Sequence, residues 1–247
     1  MHRFVILYLF IFCIGVVFSQ ECHSQQLDNK DDSQYYQLFD QIVGIENTKI
    51  YNGSEIIELE RVVEGKNKYL FADSFVPATV IFDGQPYYNI DLNYNIYDDF
   101  VIIRLKNKVG KNTFKPIQEH VEGFIFGNYK FINFTLLYPQ NLNGFYQVLG
   151  ENDTVTLLKK HKLGRESNLE KEVLFYEFEP IESDYFIEDD GTLIGINSKA
   201  DWLKLYPDHI SEIRKYFRIN KKLRKLNADG FFQNLFFLFQ IKRITGS

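Results

Sequence analysis

Between residues 48 and 196 the chain is cut at short intervals by turn dipeptides, and this rhythm limits the fold more than any other feature. Asn52-Gly53, Asp83-Gly84, Gly127-Asn128, Asn143-Gly144, the segment 150–153 and the segment 189–191 separate apolar runs too short for ordinary helices. Glycine, asparagine and aspartate supply the positive φ angles that two-residue hairpin loops require. The pattern therefore predicts successive antiparallel strands joined by hairpins. Strands are expected near 78–83, 100–105, 121–126, 129–134, 145–149, 154–159, 173–178, 185–188 and 192–196. The charged stretch 164–172, GRESNLEKE, reads as a solvated loop.

The stretch 84–95, GQPYYNIDLNYN, tests this reading. Strand side chains alternate, so Tyr88, Ile90, Leu92 and Tyr94 should face a core, and Tyr87, Asn89, Asp91 and Asn93 should face water. Interleaved aromatics and amides could also form a sugar-binding surface, but a half-buried antiparallel strand explains the same pattern. The expected fold class is mainly β (α+β): a curled antiparallel meander of roughly eight to eleven strands, as a half-barrel or a sandwich, with C-terminal helices.

The ends of the chain differ from this body. MHRFVILYLFIFCIGVVFSQ opens with a basic start and an apolar run from Phe4 to Phe18. That run is shorter than the roughly 18–20 residues of a spanning helix, so residues 1–19 read as a cleavable signal peptide. Export to the periplasm or cell surface follows, with no transmembrane span after cleavage. Only Cys22 would then remain, so an internal disulfide is excluded and the core must hold the domain. Residues 20–47 form a polar leader and a short helix, capped by Ser33, running through Tyr36, Phe39 and Val43, and stopped by Gly44.

Residues 198–247 switch to helical periodicity. Ser198-Lys-Ala-Asp201 has the capping-box form, Pro207 can begin a helix, and Asn227 can cap a last, phenylalanine-rich one. Charge is split along the chain: residues 20–197 carry 16 basic and 29 acidic side chains, and residues 198–247 carry 11 and 4. The expectation is a basic helical segment packed over the acidic body, its cations on a solvated helix face. The residues expected to contact a ligand or partner are Trp202, Phe231, Phe232, Phe236 and Phe239, with the cations Arg214, Arg218 and Lys222. A basic stripe beside a phenylalanine-rich helix also resembles an interfacial membrane element.

Catalytic motifs are missing. The histidines are scattered, and there is no nucleophile elbow, phosphate-cradling glycine loop or dinucleotide fingerprint. No catalytic residue, metal ligand or cofactor is predicted, and export argues against nucleic acid. A non-catalytic envelope protein that binds a macromolecular partner is the first expectation, the partner being an envelope protein or lipid. A carrier of lipid or another apolar ligand in a curled-sheet cavity is the second. A hydrolase with a convergent site is the third.

Several segments together carry a resemblance: Ile50-Tyr-Asn-Gly-Ser-Glu55, Val80-Ile-Phe-Asp-Gly-Gln-Pro-Tyr87, Leu92-Asn-Tyr-Asn-Ile-Tyr-Asp98, Gly144-Phe-Tyr-Gln-Val-Leu149 and Gly195-Ile-Asn-Ser-Lys199 followed by a basic helix. The chain resembles a group of uncharacterised exported proteins of Gram-negative bacteria. Asn95 stands where those proteins tend to have an aspartate. The resemblance implies export and the order of elements, and it brings no site residues.

Overall fold

The computed structural model describes residues 32–72, 74–107, 110–137 and 143–244. The expected signal peptide and most of the leader lie outside the described residues. The chain divides into a unit of residues 1–34 and one of residues 35–247. Strands dominate the second, as the turn rhythm requires. In order they are β1 (Gly53–Glu55), β2 (Val76–Phe82), β3 (Gln85–Asn95), β4 (Phe100–Asn107), β5 (Gly110–Pro116), β6 (Val121–Phe126), β7 (Tyr129–Asn133), β8 (Phe145–Glu151), β9 (Val155–Lys160), β10 (Leu163–Glu170), β11 (Val173–Pro180), β12 (Asp184–Asp189) and β13 (Thr192–Gly195).

Eleven of these form one open antiparallel sheet, with the order β1-β5-β4-β3-β2-β6-β7-β8-β9-β12-β13. Two meanders, β2 to β5 and β6 to β9, are joined back to back because β2 pairs with β6 as well as β3. β10 and β11 leave the sheet as a separate two-stranded ribbon. The fold is thus mainly β with C-terminal helices, as expected.

Segment 164–172 is a correction: most of it is β10, not a loop. The side chains of β10 are largely exposed, so no apolar alternation marks the strand. Its turn hides too. Glu170 pairs with Val173 across a two-residue loop, where Lys171 and Glu172 both adopt positive φ, 47° and 68°. That geometry normally selects asparagine and glycine, and neither is present.

The face assignment of residues 84–95 needs a second correction. Ala78 pairs with Ile90 but Val80 pairs with Tyr87, which leaves Tyr88 and Asn89 opposite Thr79 alone. This β-bulge, with Asn89 at φ 56°, reverses the alternation. Ile90, Leu92 and Tyr94 are buried as expected, but before the bulge it is Tyr87, at 3% exposure, that faces the core. Asn93 is also buried. Segment 68–72 runs beside the end of β3, where the Asn93 side chain accepts from Phe71 N at 3.3 Å and donates to Ala72 O at 2.9 Å. The Asn93 amide, one of those that resembled a sugar surface, is spent on the protein's own backbone.

The helices are α1 (Asp32–Val43), α2 (Phe134–Leu137), α3 (Lys199–Leu205), α4 (Ile210–Ile219), α5 (Lys221–Leu226) and α6 (Ala228–Ile244). Helix α1 ends at Gly44 as expected, with φ 84° there. Its start is a correction: the helix already includes Asp32, so Ser33 lies within it and is not its cap; Phe39 and Val43 are exposed, and Asp40 is buried.

Two main cores fill the unit. One is aromatic and spans β2 to β8, with Tyr94, Phe124, Phe131 and Phe145 in mutual ring contact at 4.6–5.8 Å. The other lies between β8, β9, β12 and the C-terminal helices. A smaller cluster of Phe134, Tyr146 and Leu158 forms a third.

Candidate functional site: a cationic face on the C-terminal helices

Helices α3 to α6 are docked by their aromatic side chains. Ser198 and Asp201 close the expected capping box on α3. The Trp202 indole is fully buried and donates to Ile196 O at 3.0 Å. The Asn227 side chain accepts from Gly230 N at 2.9 Å, which starts α6 as expected. Phe231, Phe232, Phe236 and Phe239 are all 0–2% exposed and face the sheet. With Trp202, these five expected contact residues sit in the core, where each already has protein neighbours. Burial of four phenylalanines and a tryptophan supplies on the order of 10 kcal/mol before entropic costs.

Polar ties complete the dock. The Asp229 carboxylate accepts from the Tyr185 hydroxyl at 2.6 Å and pairs with Lys159 at 2.8 Å. Burial, and then that hydrogen bond, hold the Tyr185 hydroxyl well above its usual range. The Tyr216 hydroxyl donates to Phe231 O at 3.0 Å, and Arg224 donates to Asn197 O at 3.0 Å.

The outer side of α4 and α5 is different. Ile213 is buried and Tyr216, Phe217 and Leu223 pack against the core, so the opposite face is fixed toward solvent. On it stand Arg214, Lys215, Arg218, Lys221, Lys222 and Lys225, all exposed. Arg214 and Arg218 share one side of α4, and Lys222 and Lys225 one side of α5. Among the described residues none of these six cations makes an ion pair. Ile219 and Leu226 stand among them at 63% and 76% exposure.

The cations thus form a solvated helix face and not charge pairs with the acidic body. Among the described residues, the ion pair between the two runs the other way, from Lys159 of the sheet to Asp229 of the helix. Aromatic burial and these few polar ties hold the helices, and the six cations take no part in an ion pair among the described residues.

Sequence reasoning missed one charged node, at Asp99. Its carboxylate accepts from the Tyr94 hydroxyl at 2.5 Å, from Phe145 N at 3.2 Å and from Lys160 at 2.6 Å. Lys160 also donates to the carbonyls of Asn143 and Phe145 at 3.0 and 3.1 Å. Burial pulls its ammonium below the usual lysine range, against the pull of Asp99. With three acceptors for its three protons, this lysine is a structural tie and not a free base. Gly144 belongs to the same knot: it has φ 82°, and an added Cβ would collide with the Asp99 carboxylate. Tyr94 and Asp99 flank the β3–β4 turn, but Lys160 comes from β9, 61 residues on, so no motif announces the three together.

Among the described residues no cluster of three or more histidine, cysteine or carboxylate ligands could hold a metal ion. None of the described helices is long and apolar enough to cross a membrane. Comparison with known proteins found no matching family model, no matching curated protein and no matching solved structure.

Proposed function

We propose that this is a non-catalytic exported protein of the bacterial envelope that works by binding, and that the cationic face of α4 and α5 is its contact surface. One observation carries the reading: six exposed cations, without ion pairs among the described residues, stand on helices whose other side is anchored in a core. A surface of this kind binds anionic partners, because the cations have no internal counter-charge to give up. The interspersed Ile219 and Leu226 favour a lipid headgroup layer over an acidic protein, since apolar side chains between cations can enter the interfacial region. Export rests on the sequence, through the N-terminal apolar run and the resemblance. What supports this reading over a lipid carrier is that the phenylalanine-rich face of α6 is occupied by the protein's own side chains.

Sedimentation with lipid vesicles tests it. The protein is expected to pellet with phosphatidylglycerol-containing vesicles at low salt, to be released at high salt, and to stay soluble with pure phosphatidylcholine. Binding independent of both salt and headgroup charge would overturn the electrostatic reading.

A further inference from the structure

A second surface feature, on the opposite half of the sheet, is built around a buried carboxylate oxygen with no hydrogen-bond partner among the described residues. Asp40 projects from the last turn of α1 and is only 7% exposed, yet its Oδ1 has no hydrogen-bond partner among the described residues. An amphipathic helix would ordinarily bury Phe39 or Val43 at this position, and both are exposed instead. Burying a carboxylate without a partner costs free energy, and burial accordingly raises the Asp40 pKa. The helix gives no relief. Its last turn contains no basic residue, and its carbonyl end presents negative potential to the carboxylate.

Asp40 lines an open cleft of about 520 Å³ between the end of α1 and the bulged part of β3. Arg104 of β4 lines the same cleft. Among the described residues its guanidinium makes no ion pair; it lies over the Phe75 ring at 3.7 Å, held flat by that stack. Tyr51 forms part of the wall, its hydroxyl pushed up to about 12 by burial and by the negative charge of Asp91 and Glu46. The β-bulge contributes Asn89, whose positive φ opens the strand here. One cleft therefore holds a buried carboxylate oxygen without a donor and a guanidinium without an ion pair among the described residues, with the carboxylates of Glu46 and Asp91 in the same wall. Bulges and locally unfavourable residues of this kind concentrate where a site is kept at the expense of stability.

We propose that this cleft binds a small zwitterion of the amino-acid class, its ammonium group on the Asp40 carboxylate and its carboxylate on the Arg104 guanidinium. The volume lies within the range of small-molecule sites. A ligand with only one of the two charges would leave the other protein group unmatched. The site is independent of the cationic face, and either can fail without the other.

The test is calorimetric titration of the full chain with glycine, L-alanine and L-glutamine, each beside its N-acetyl and its amide derivative. At least one free amino acid should saturate. N-acetylation and Asp40→Asn should each weaken it by about tenfold or more, and amide formation and Arg104→Gln should do the same. A thermal melt of Asp40→Asn distinguishes lost binding from lost folding. The variant should melt at or above the wild-type temperature, because it removes an uncompensated buried charge. No saturation by any of the three up to about 10 mM would overturn the proposal. So would binding indifferent to N-acetylation or to Asp40→Asn, or an Asp40→Asn variant that melts lower.

Discussion

The bulge in β3 decides what single residues do. Without it Tyr87 would be a wet side chain; with it Tyr87 is as buried as Ile90. Ile90→Ala should cost about 2–5 kcal/mol and Tyr87→Ala about 3–5, both measurable by denaturant unfolding. Asn89→Gly should stay within about 0.5 kcal/mol, because the position already needs a positive φ. A cheap Tyr87→Ala beside a costly Ile90→Ala would mean the strand runs through without the bulge. His161 gives a residue-scale prediction in pH. Burial, with Lys159 adding to it, lowers its pKa from 6.5 to about 4. The folded state therefore resists protonation that the unfolded state accepts. The associated stability is present above pH 6.5 and is lost as pH falls toward 4. The loss should approach about 3 kcal/mol and should flatten in His161→Gln, followed by urea unfolding across that range. Asp40 acts in the opposite sense, its raised pKa lowering stability as pH rises, so both variants should be compared with the wild type.

At the scale of elements, what could be read was what is local. Gly53, Gly84, Gly127 and Gly191 fall at or beside strand ends, and β6 matches its apolar run residue for residue. The capping box at Ser198 and the asparagine cap at Asn227 were equally legible, because a cap is a contact between near neighbours. β5 and β10 were not legible. Both are polar, and the Lys171-Glu172 turn adopts its geometry without the residues that favour it. That mismatch predicts a gain. Lys171→Asn with Glu172→Gly should stabilise the β10–β11 ribbon by about 1 kcal/mol, seen as slower amide exchange along β10. Unchanged exchange would mean the ribbon is held by contacts beyond its turn. The bulge at Tyr88 and Asn89 was invisible for another reason: it is set by the register against β2, not by residues 84–95 themselves.

For the whole molecule, the charge split along the sequence became a split in space, but not the one that charge pairing suggests. The C-terminal helices are held by Trp202 and four phenylalanines, and their cations look outward. Arg214, Arg218 and Lys222 were legible as a basic stripe because helical spacing and charge are both local. The aromatic residues were legible as an apolar helix, but not as a filled core, because what fills the space comes from β8, β9 and β12. Asp40 and Arg104 were not legible as a pair, since 63 residues and three strands separate them in the chain. The account stands most directly on the outward cations. The measurement that tests it is the binding isotherm on phosphatidylglycerol vesicles of the wild type against the Arg214→Glu, Arg218→Glu, Lys222→Glu triple variant. These side chains are exposed, so the variant should melt within a few degrees of the wild type. Its vesicle affinity should fall by about 100-fold or more, each reversal removing one attractive contact and adding a repulsive one. Equal isotherms for the two folded proteins would contradict the account.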